Sequence, residues 1–435
     1  MIASDQEQRV CDHIAARENE LVDLLQRLVG YDTAAREPDR SGGDIEGLQR
    51  YLAARLQASG AAVELEEPPA SLVAGHAYVP HGFDFAGRPQ LVARFAGADD
   101  GPSLLLNGHI DVVSAEPRDA WSTDPFGGEV RNGAVYGRGA CDMKGGVAAM
   151  VLAAEALQEL GVRLGGELIV NTVSEEETTG AGGLATARTV RADAAIVPEP
   201  SGLAVLTCCR GSLLATIDVT GRGGHAGIAP RHYAHGGAVS AIEKAVYLLE
   251  VIRRLNGEWA LRPRHAYLSP ADAVVTAIRG GEWIVSVPAR CRIDVHFEFL
   301  PEQADAAGWG SRVEREFEEW IAAAAAADPW LREYPPDITW LQGGVPPAEV
   351  APDERVVEAL LGAQISLGGC ARVAGLDNWS DAATLITEAR IPAVCYGPGD
   401  LRLAHGADEH LLIAEMVGCA QGIAVAAMRF CGVVS

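Results

Sequence analysis

Short, continuously apolar segments alternate along the chain with segments of helical periodicity, and this alternation restricts the fold more than any other feature. Apolar strands of this kind occur where helices cover both faces of a parallel sheet. We therefore predict an α/β fold built on a mostly parallel sheet. The predicted strands are residues 103–106, 167–173, 194–197 and 393–396, and the predicted helices are residues 5–28, 47–59, 147–160 and 354–367.

Between residues 208 and 345 the pattern changes, and the elements follow the order βαββαβ, which is typical of a compact α+β domain. A chain of 435 residues is long enough for two domains. We predict that residues 1–207 and 346–435 form the α/β domain and that residues 208–345 are inserted into it. The predicted strands of the insert are residues 213–219, 273–278, 284–299 and 338–341, and its predicted helices are residues 236–254 and 302–327.

The chain is strongly acidic, with 35 Lys and Arg against 59 Asp and Glu and a net charge of −24. Binding to nucleic acid requires a basic surface that replaces phosphate counterions, and anionic membranes likewise attract basic proteins. The charge therefore argues against nucleic-acid and membrane partners. It permits divalent cations or cationic substrates.

Several features favour a cytoplasmic protein. We expect no membrane span, because no apolar stretch reaches the roughly 18–20 residues that a span needs. The polar amino terminus lacks the basic and apolar regions of a secretion signal. Nine cysteines are scattered over the chain without a C-x-x-C pair, which indicates free thiols in a reducing compartment.

Acidic and imidazole side chains follow the predicted strands of the α/β domain, at the point where each strand ends. His109 and Asp111 follow the first strand, residues 175–177 the second, Glu199 the third and His405 the fourth. Ligands bind at the carboxyl ends of strands in open α/β sheets. We therefore expect these side chains to converge on one crevice.

Two segments have a spacing that suits a metal site. His109 and Asp111 stand at i and i+2 of an extended segment, so Asp111 can accept a hydrogen bond that fixes the imidazole tautomer. A capped turn is the simpler alternative. The glycine-rich residues 136–146 precede a helix, but Asp142 stands where a G-x-G-x-x-G dinucleotide motif requires its last glycine. An N-cap is the alternative role of Asp142.

Three adjacent carboxylates, Glu175, Glu176 and Glu177, follow a predicted buried strand. Like charges near a crevice need a cation or must partly protonate, although such a run is also common in solvated loops. Glu199 lies between two prolines in a rigid turn, for which a plain surface turn is the alternative. Two His, one Asp and two Glu can bind a pair of zinc-like ions and leave one Glu as a base. This mixed ligand set suits zinc, cobalt or manganese.

The order of these motifs resembles that of a known family. Residues 108–111, 137–145, 176–177, Glu199 and His405 stand in the order found in acetylornithine deacetylase, succinyl-diaminopimelate desuccinylase, aminoacylase and bacterial glutamate carboxypeptidase. The resemblance implies a zinc-peptidase-like catalytic domain with two divalent metal ions, for which we expect zinc, with cobalt or manganese as alternatives. It also implies that the insert is a lid domain that forms the contact of a homodimer.

The resemblance assigns roles to the candidate ligands. His109 and Glu199 would bind one ion, Glu177 and His405 would bind the other, and Asp142 would bridge the two. The family also holds a cis peptide bond after its bridging Asp, so the bond after Asp142 should be cis.

The resemblance also assigns catalytic roles. Glu176 would be the general base, because the family's base immediately precedes a metal-binding Glu, and Glu175 is the alternative if the register of the triplet differs. Asp111 belongs to the catalytic set as the residue that orients the first histidine. His225, in a glycine-rich segment of the insert, resembles the histidine that reaches the neighbouring subunit's active site, and a simple turn is its alternative role.

Departures from the family concern the substrate. His296 stands where relatives often carry an Arg for the substrate carboxylate, and the segment that begins with Asn378 lacks an Arg that some relatives have. We predict His296 and Asn378 as substrate contacts. Whether the substrate has the carboxylate that relatives bind with their Arg stays open.

These expectations define a function. We predict a metal-dependent amidohydrolase in which metal-activated water removes an acyl group from an N-acyl amino acid or a similar small amide. A dipeptidase or carboxypeptidase of the same family is the alternative among enzymes. A non-catalytic scaffold of the same fold is a further alternative, and the presence of every expected ligand and of the base argues against it.

Overall fold

The computed structural model describes residues 3–34, 43–229, 231–262 and 264–434. The chain falls into two compact units, of which the second lies in sequence between parts of the first. The first unit comprises Met1–Cys208, Ala348–Leu376 and Ser380–Ser435, and the second comprises Cys209–Pro347 and Asp377–Trp379. The role of the second unit as a lid and dimer contact stays a prediction.

Helices and strands are numbered in chain order. The helices are α1 (Asp5–Ala16), α2 (Glu18–Val29), α3 (Ile45–Ala58), α4 (Gly145–Glu159), α5 (Ala181–Thr189), α6 (Ala241–Leu261), α7 (Ser311–Ala327), α8 (Pro329–Glu333), α9 (Arg355–Ser366), α10 (Asp381–Ala389) and α11 (Ile413–Cys431). The strands are β1 (Ala62–Glu66), β2 (Gln90–Phe95), β3 (Leu104–His109), β4 (Glu129–Arg131), β5 (Ala134–Tyr136), β6 (Leu168–Val173), β7 (Ala194–Pro200), β8 (Val205–Cys209), β9 (Gly211–Thr220), β10 (Gly224–His225), β11 (Asp272–Gly280), β12 (Ser286–Val287), β13 (Arg290–Phe299), β14 (Asp337–Trp340), β15 (Ala348–Glu349), β16 (Val373–Leu376), β17 (Ala393–Gly397) and β18 (His410–Leu412).

The first unit is built on a sheet whose central strands are parallel. The strand order is β1-β2-β6-β3-β7-β17-β8-β15, with β16 beside β8. Strands β6, β3, β7 and β17 run parallel to one another, whereas β1, β2 and β8 pair antiparallel on either side of them. The prediction of an α/β fold with a mostly parallel sheet is confirmed.

The central strands and helix α4 form the core beneath the strand ends. Every residue of β3, β6 and β7 is buried, which explains why these strands are continuously apolar over most of their length. Helix α4 packs against all three strands, and its residues are buried from Gly145 to Leu157. A helix buried on all sides needs no polar face, which is the reason for its Ala-rich sequence.

Four predicted elements differ clearly from the structure. The helix predicted at residues 236–254 is α6, which begins at Ala241 after the Ser240 N-cap and continues to Leu261. The helix predicted at residues 5–28 is divided at Arg17, whose guanidinium lies 2.9 Å from the carboxylate of Glu155 on α4. The strand predicted at residues 284–299 is divided into β12 and β13, because Pro288 has no N–H for the ladder. The helix predicted at residues 302–327 begins only at α7, since Gly308 has a positive φ of 88°.

Helix α11 is long and apolar enough, by length and composition, to cross a membrane, so the prediction that no segment would meet this test was wrong. Within the protein, 61 % of its most apolar window is buried, and the helix packs against α1, α4 and α9. A core helix passes the same test, so one such helix is weak evidence of a membrane span.

The second unit has an antiparallel sheet of order β11-β13-β9-β14, together with helices α6 and α7. Alternate residues of β13, from Cys291 to Phe299, are buried in the core that these helices share with the sheet. The intervening side chains of β13 are more exposed, as a strand with one covered face requires. The order of the main elements is βαββαβ, as predicted.

Candidate active site

Three neighbouring parallel strands bring acidic and imidazole groups to one edge of the first unit's sheet. His109 is the last residue of β3, residues 175–177 follow β6 closely, and Glu199 lies near the end of β7. Because β6, β3 and β7 are adjacent and parallel, their carboxyl ends meet. The sheet order therefore produces the crevice at which these side chains collect.

The ring of His109 is fixed by a backbone group and is directed at carboxylates. Its Nδ1 lies 2.9 Å from the backbone carbonyl oxygen of Asp111, which can only accept, so Nδ1 donates. Its Nε2 lies 3.1 Å from Oδ1 of Asp142 and 3.7 Å from Oε1 of Glu199. Burial lowers the pKa of His109, but these carboxylates and Glu176 outweigh burial and raise it well above its usual value. The crevice therefore favours a cation at Nε2.

The side chain of Asp111 does not make the predicted hydrogen bond to the imidazole. Its Oδ1 lies 3.8 Å from Nδ1 of His109, which is beyond hydrogen-bond distance. The carboxylate instead accepts the backbone N–H groups of Glu177 at 3.1 Å and of Glu176 at 3.4 Å. Asp111 therefore orients the histidine through its carbonyl group and holds the acidic loop through its side chain.

Asp142 lies between the two histidines of the site. It lies in the turn before α4, and its peptide bond to Met143 is cis, as predicted. Oδ1 faces Nε2 of His109 at 3.1 Å, and Oδ2 lies 3.6 Å from Nε2 of His405. Burial raises the pKa of Asp142, but the two imidazoles outweigh burial and hold it below its usual value.

His405 comes from the loop after β17 and faces Glu177. Its Nε2 lies 3.1 Å from Oε2 and 3.2 Å from Oε1 of Glu177. The nearby carboxylate of Asp142 and the hydrogen bond to Glu177 raise the pKa of His405 to about 10. This side of the site is more open than the side of His109, because the His405 side chain is 54 % exposed.

The three adjacent glutamates face different partners. Oε1 of Glu175 lies 2.8 Å from Nη1 of Arg88, which pairs its carboxylate with a cation. Oε2 of Glu176 lies 4.0 Å from Nε2 of His109. Burial raises the pKa of Glu176, and neighbouring carboxylates, with Glu199 first, raise it further. This arrangement favours Glu176 over Glu175 as the base.

The residues at the centre suit a metal ion. Ligand atoms of His109, Asp142 and Glu177 all lie within 4.8 Å of one another. Imidazole nitrogens and carboxylate oxygens are the ligands of zinc and of similar divalent ions. A divalent cation would also neutralise buried carboxylates that otherwise bind protons, as the raised pKa of Glu199 indicates.

The other predicted site residues lie in the second unit. His225 ends β10 and is exposed, and its Nδ1 accepts the backbone N–H of Gly227 at 3.0 Å. His296 lies on β13 with its Nε2 3.5 Å from Oε1 of Glu298. The exposed Asn378 donates to the backbone carbonyl of Trp379 at 3.1 Å. The roles of His225, His296 and Asn378 stay predictions.

Sequence reasoning missed a further carboxylate, that of Asp381 at the start of α10. The residue is 1 % exposed, and neither carboxylate oxygen has a hydrogen-bond partner among the described residues. A Cβ at Gly183 would lie 2.0 Å from its Oδ1, so only glycine leaves room there. Burial raises the pKa of Asp381 to about 7, and Asp111 adds to the rise. Asp381 directly follows the segment that begins with Asn378, which was predicted to contact the substrate, and this position was the available signal for a site residue.

Comparison with known proteins identifies the family. A profile of peptidase family M20/M25/M40 matches residues 105–429. The chain is 29 % identical over 427 residues to N-formyl-4-amino-5-aminomethyl-2-methylpyrimidine deformylase of Halalkalibacterium halodurans, and 93 % of each chain is covered. It is 31 % identical over 418 residues to acetylornithine deacetylase of Myxococcus xanthus, with 94 % of this chain and 97 % of that one covered.

Solved structures show the same fold. A di-peptidase from Saccharomyces cerevisiae superposes with a TM-score of 0.74 at 14 % identity, and 99 % of each chain is covered. A Bacillus subtilis protein described as a dinuclear metal binding peptidase of the M20 family superposes with a TM-score of 0.61 at 15 % identity, with 95 % of this chain and 98 % of that one covered.

Fold, site and sequence likeness define a class of metallohydrolases that act on amide bonds, and the predicted enzyme class is confirmed. The chain belongs to peptidase family M20/M25/M40. The resemblance that the motifs indicated is thereby confirmed.

Replacement of Asp381 by Asn is expected to stabilise the metal-free protein near pH 8 and to have little effect near pH 4. The folded pKa of about 7 exceeds the unfolded value of 3.8, so the free energy of unfolding falls as the pH rises from 3.8 through 7. The Asn variant lacks this loss, which amounts to at most about 4 kcal/mol, at about 1.4 kcal/mol per pKa unit. Melting temperatures of the chelated proteins between pH 4 and 8 measure the effect.

The exposed Asp99→Asn variant is the matched control and should follow the wild type at every pH. If Asp381→Asn instead lowers the melting temperature equally from pH 4 to pH 8, ionisation of Asp381 does not destabilise the wild-type protein at high pH, and the prediction is wrong.

Proposed function

We propose that this chain is a dinuclear metal-dependent amidohydrolase that removes an acyl group from an N-acyl amino acid or a similar small amide. The observation that carries the proposal is the position of Asp142, whose two oxygens face the Nε2 atoms of His109 and His405. A carboxylate between two imidazoles has the geometry of a ligand that bridges two ions. Carboxylate-bridged ion pairs are a recurring catalytic device in hydrolases.

Each ion has its own set of ligands in this proposal. His109 and Glu199 bind one ion, His405 and Glu177 bind the other, and Asp142 is shared. We propose zinc, with cobalt or manganese as alternatives, because each set mixes imidazole with carboxylate. When bound, the ions would lower the pKa of a water molecule and polarise the carbonyl group of the substrate.

Glu176 is the general base in this proposal. It takes the proton of the attacking water and passes the proton to the departing amine. Its position near Nε2 of His109 supports this role, whereas Glu175 is paired with Arg88. Asp111 supports both steps, because its side chain holds the backbone of Glu176 and its carbonyl group orients His109.

The two relatives favour a deacylase over a peptidase. The names of both describe the removal of a small acyl group, formyl or acetyl, from a nitrogen. We propose the same reaction type here, with a dipeptidase or carboxypeptidase as the alternative. His296 and Asn378 are the proposed substrate contacts, and His296 in place of an Arg favours substrates without a carboxylate at that position.

The proposed setting is a cytoplasmic homodimer that contacts a small substrate, with no nucleic-acid or membrane partner. The net charge of −24 supports the exclusion of nucleic acid and of anionic membranes. In the dimer, His225 of one subunit would donate a hydrogen bond to the carbonyl oxygen of a substrate bound by the other subunit.

A substrate panel tests the proposed reaction. Chelated protein is reloaded with zinc or cobalt and given N-formyl, N-acetyl, N-succinyl and N-carbamoyl forms of one amine, together with dipeptides. We expect hydrolysis of at least one N-acyl compound, full loss of activity on chelation and recovery with about two ions per chain. Faster cleavage of dipeptides would favour the peptidase alternative, and no metal-dependent cleavage of any compound would refute the proposal.

Replacement of Glu176 by Gln is expected to retain both ions and to lower kcat by about 10²–10⁴, because only the proton acceptor is lost. Metal content by mass spectrometry and kcat with the best substrate of the panel measure the two effects. Glu175→Gln is the matched control and should keep most of the activity. An active Glu176→Gln variant would remove Glu176 from the mechanism.

Replacement of His225 by Ala is expected to lower kcat by about 10²–10³ with the metal content unchanged, as for the loss of one donor to an oxyanion. Unchanged turnover would contradict the proposed role.

Mixed dimers test whether His225 acts across subunits. A dimer of one Glu176→Gln chain and one His225→Ala chain has one site in which both residues are intact, so co-expression should restore part of the activity. Failure to recover activity in verified mixed dimers would show that His225 acts within its own chain.

A further inference from the structure

Glu409 is a buried carboxylate that binds the main chain of the Asp142 loop. Its side chain is 1 % exposed. Its Oε1 accepts the backbone N–H groups of Cys141 at 2.9 Å and of Asp142 at 3.0 Å. Its own carbonyl group accepts the N–H of Gly137 at 2.8 Å. Glu409 therefore fixes the loop at its beginning and at Asp142 itself.

Arg138 connects Glu409 to the loop of His405. Its Nη1 lies 2.5 Å from Oε2 of Glu409, and its Nη2 donates to the carbonyl groups of His405 and Ser114, both at 3.2 Å. The Arg138 side chain is 3 % exposed, and its guanidinium carbon Cζ lies 5.0 Å from the ring centre of Trp121. One buried ion pair thus joins the backbone of Asp142 to the backbone of His405.

We propose that Arg138 and Glu409 are positioning residues that set the separation of Asp142 and His405. They thereby create the site of the second ion, which is the one that His405 and Glu177 bind together with the shared Asp142. This inference rests on the ligand assignment in the proposed function. Buried charged groups are costly unless they are paired. In this pair, Oε1 of Glu409 accepts the backbone N–H of Asp142 and Nη2 of Arg138 donates to the backbone carbonyl of His405, so each partner also contacts a loop that carries a proposed ligand. Groups outside the ligand sphere that orient the ligands are a recognised determinant of metal affinity.

The effect should fall mainly on the ion that His405 and Glu177 bind. His109 is oriented by the carbonyl group of Asp111, and Glu199 is held within β7. Among the described residues, no hydrogen bond joins His109 or Glu199 to Arg138 or Glu409. The ligands of the first ion, apart from the shared Asp142, are therefore fixed independently of this pair. His405 has no strand to hold it, because it lies in a loop at a positive φ of 61°.

The test is a metal titration of Glu409→Gln. Gln keeps the shape and a carbonyl acceptor, but it loses the charge that holds Arg138. We expect the second ion to bind 10–100-fold more weakly, as is typical when outer groups of a metal site are changed. The first ion, which shares only Asp142 with this arrangement, should be weakened by a clearly smaller factor. Calorimetric zinc titration of the chelated protein gives both affinities. The visible spectrum of the cobalt-loaded protein reports the geometry at each site.

Arg138→Lys is the second variant. Lys keeps a positive charge opposite Glu409 but lacks the forked donor that also reaches the His405 carbonyl. This variant should also weaken the binding of the second ion, but by a smaller factor than Glu409→Gln does. If Glu409→Gln fails to fold by circular dichroism, this variant decides the question.

Glu155→Gln is the matched control, because Glu155 is another buried carboxylate, paired with Arg17 and Arg55. It should lower the melting temperature and leave both affinities unchanged. Folded Glu409→Gln protein with two unaltered affinities, or with both affinities reduced equally, would overturn the inference. Wild-type protein that binds no second ion would instead overturn the proposed function.

Discussion

Carboxylates crowded at the carboxyl edge of the parallel sheet are the constraint on which the rest of the site depends. Glu176, Glu199 and Asp381 have raised pKa values, because burial and mutual repulsion both disfavour their charged forms. Such a cluster must bind protons or admit cations. Asp142 and the two histidines mark where cations relieve the repulsion, since their opposite charges already stabilise one another. A fold that buries several acids in this way is expected to have an affinity for metal ions.

Backbone groups give this charge distribution its geometry. The carbonyl group of Asp111 orients His109, and the side chain of Asp111 binds the backbone of the acidic loop. Glu409 binds the backbone at Asp142 in the same way. These contacts lie behind the proposed ligands and leave their ligand atoms free to face the crevice. We expect a site built in this manner to need little rearrangement if ions bind.

Much of the fold was predictable from local patterns, but the exact ends of elements were not. The buried strands β3, β6, β7 and β17 were all predicted, because their apolar sequences are typical of central parallel strands. Helix α11 was not predicted, and the single helix expected at residues 5–28 is divided at Arg17, which pairs with Glu155 of another helix. Long-range ion pairs of this kind leave no periodic signal in the sequence. Asp381 was missed for a related reason, since its burial beside Gly183 brings together residues that are far apart in the sequence.

The sequence by itself determined which side chains stand at strand ends, and a fixed order of His, Asp and Glu is enough to identify the family. Tertiary structure decided how each of them is used. In the structure, Nδ1 of His109 donates to the backbone carbonyl group of Asp111 and not to its carboxylate. Glu175 is paired with Arg88. These choices depend on which distant backbone and side-chain groups lie within about 3 Å, the distance at which hydrogen bonds form. A linear order of residues fixes the chemistry that is available, whereas only the packed chain fixes the distances over which it acts.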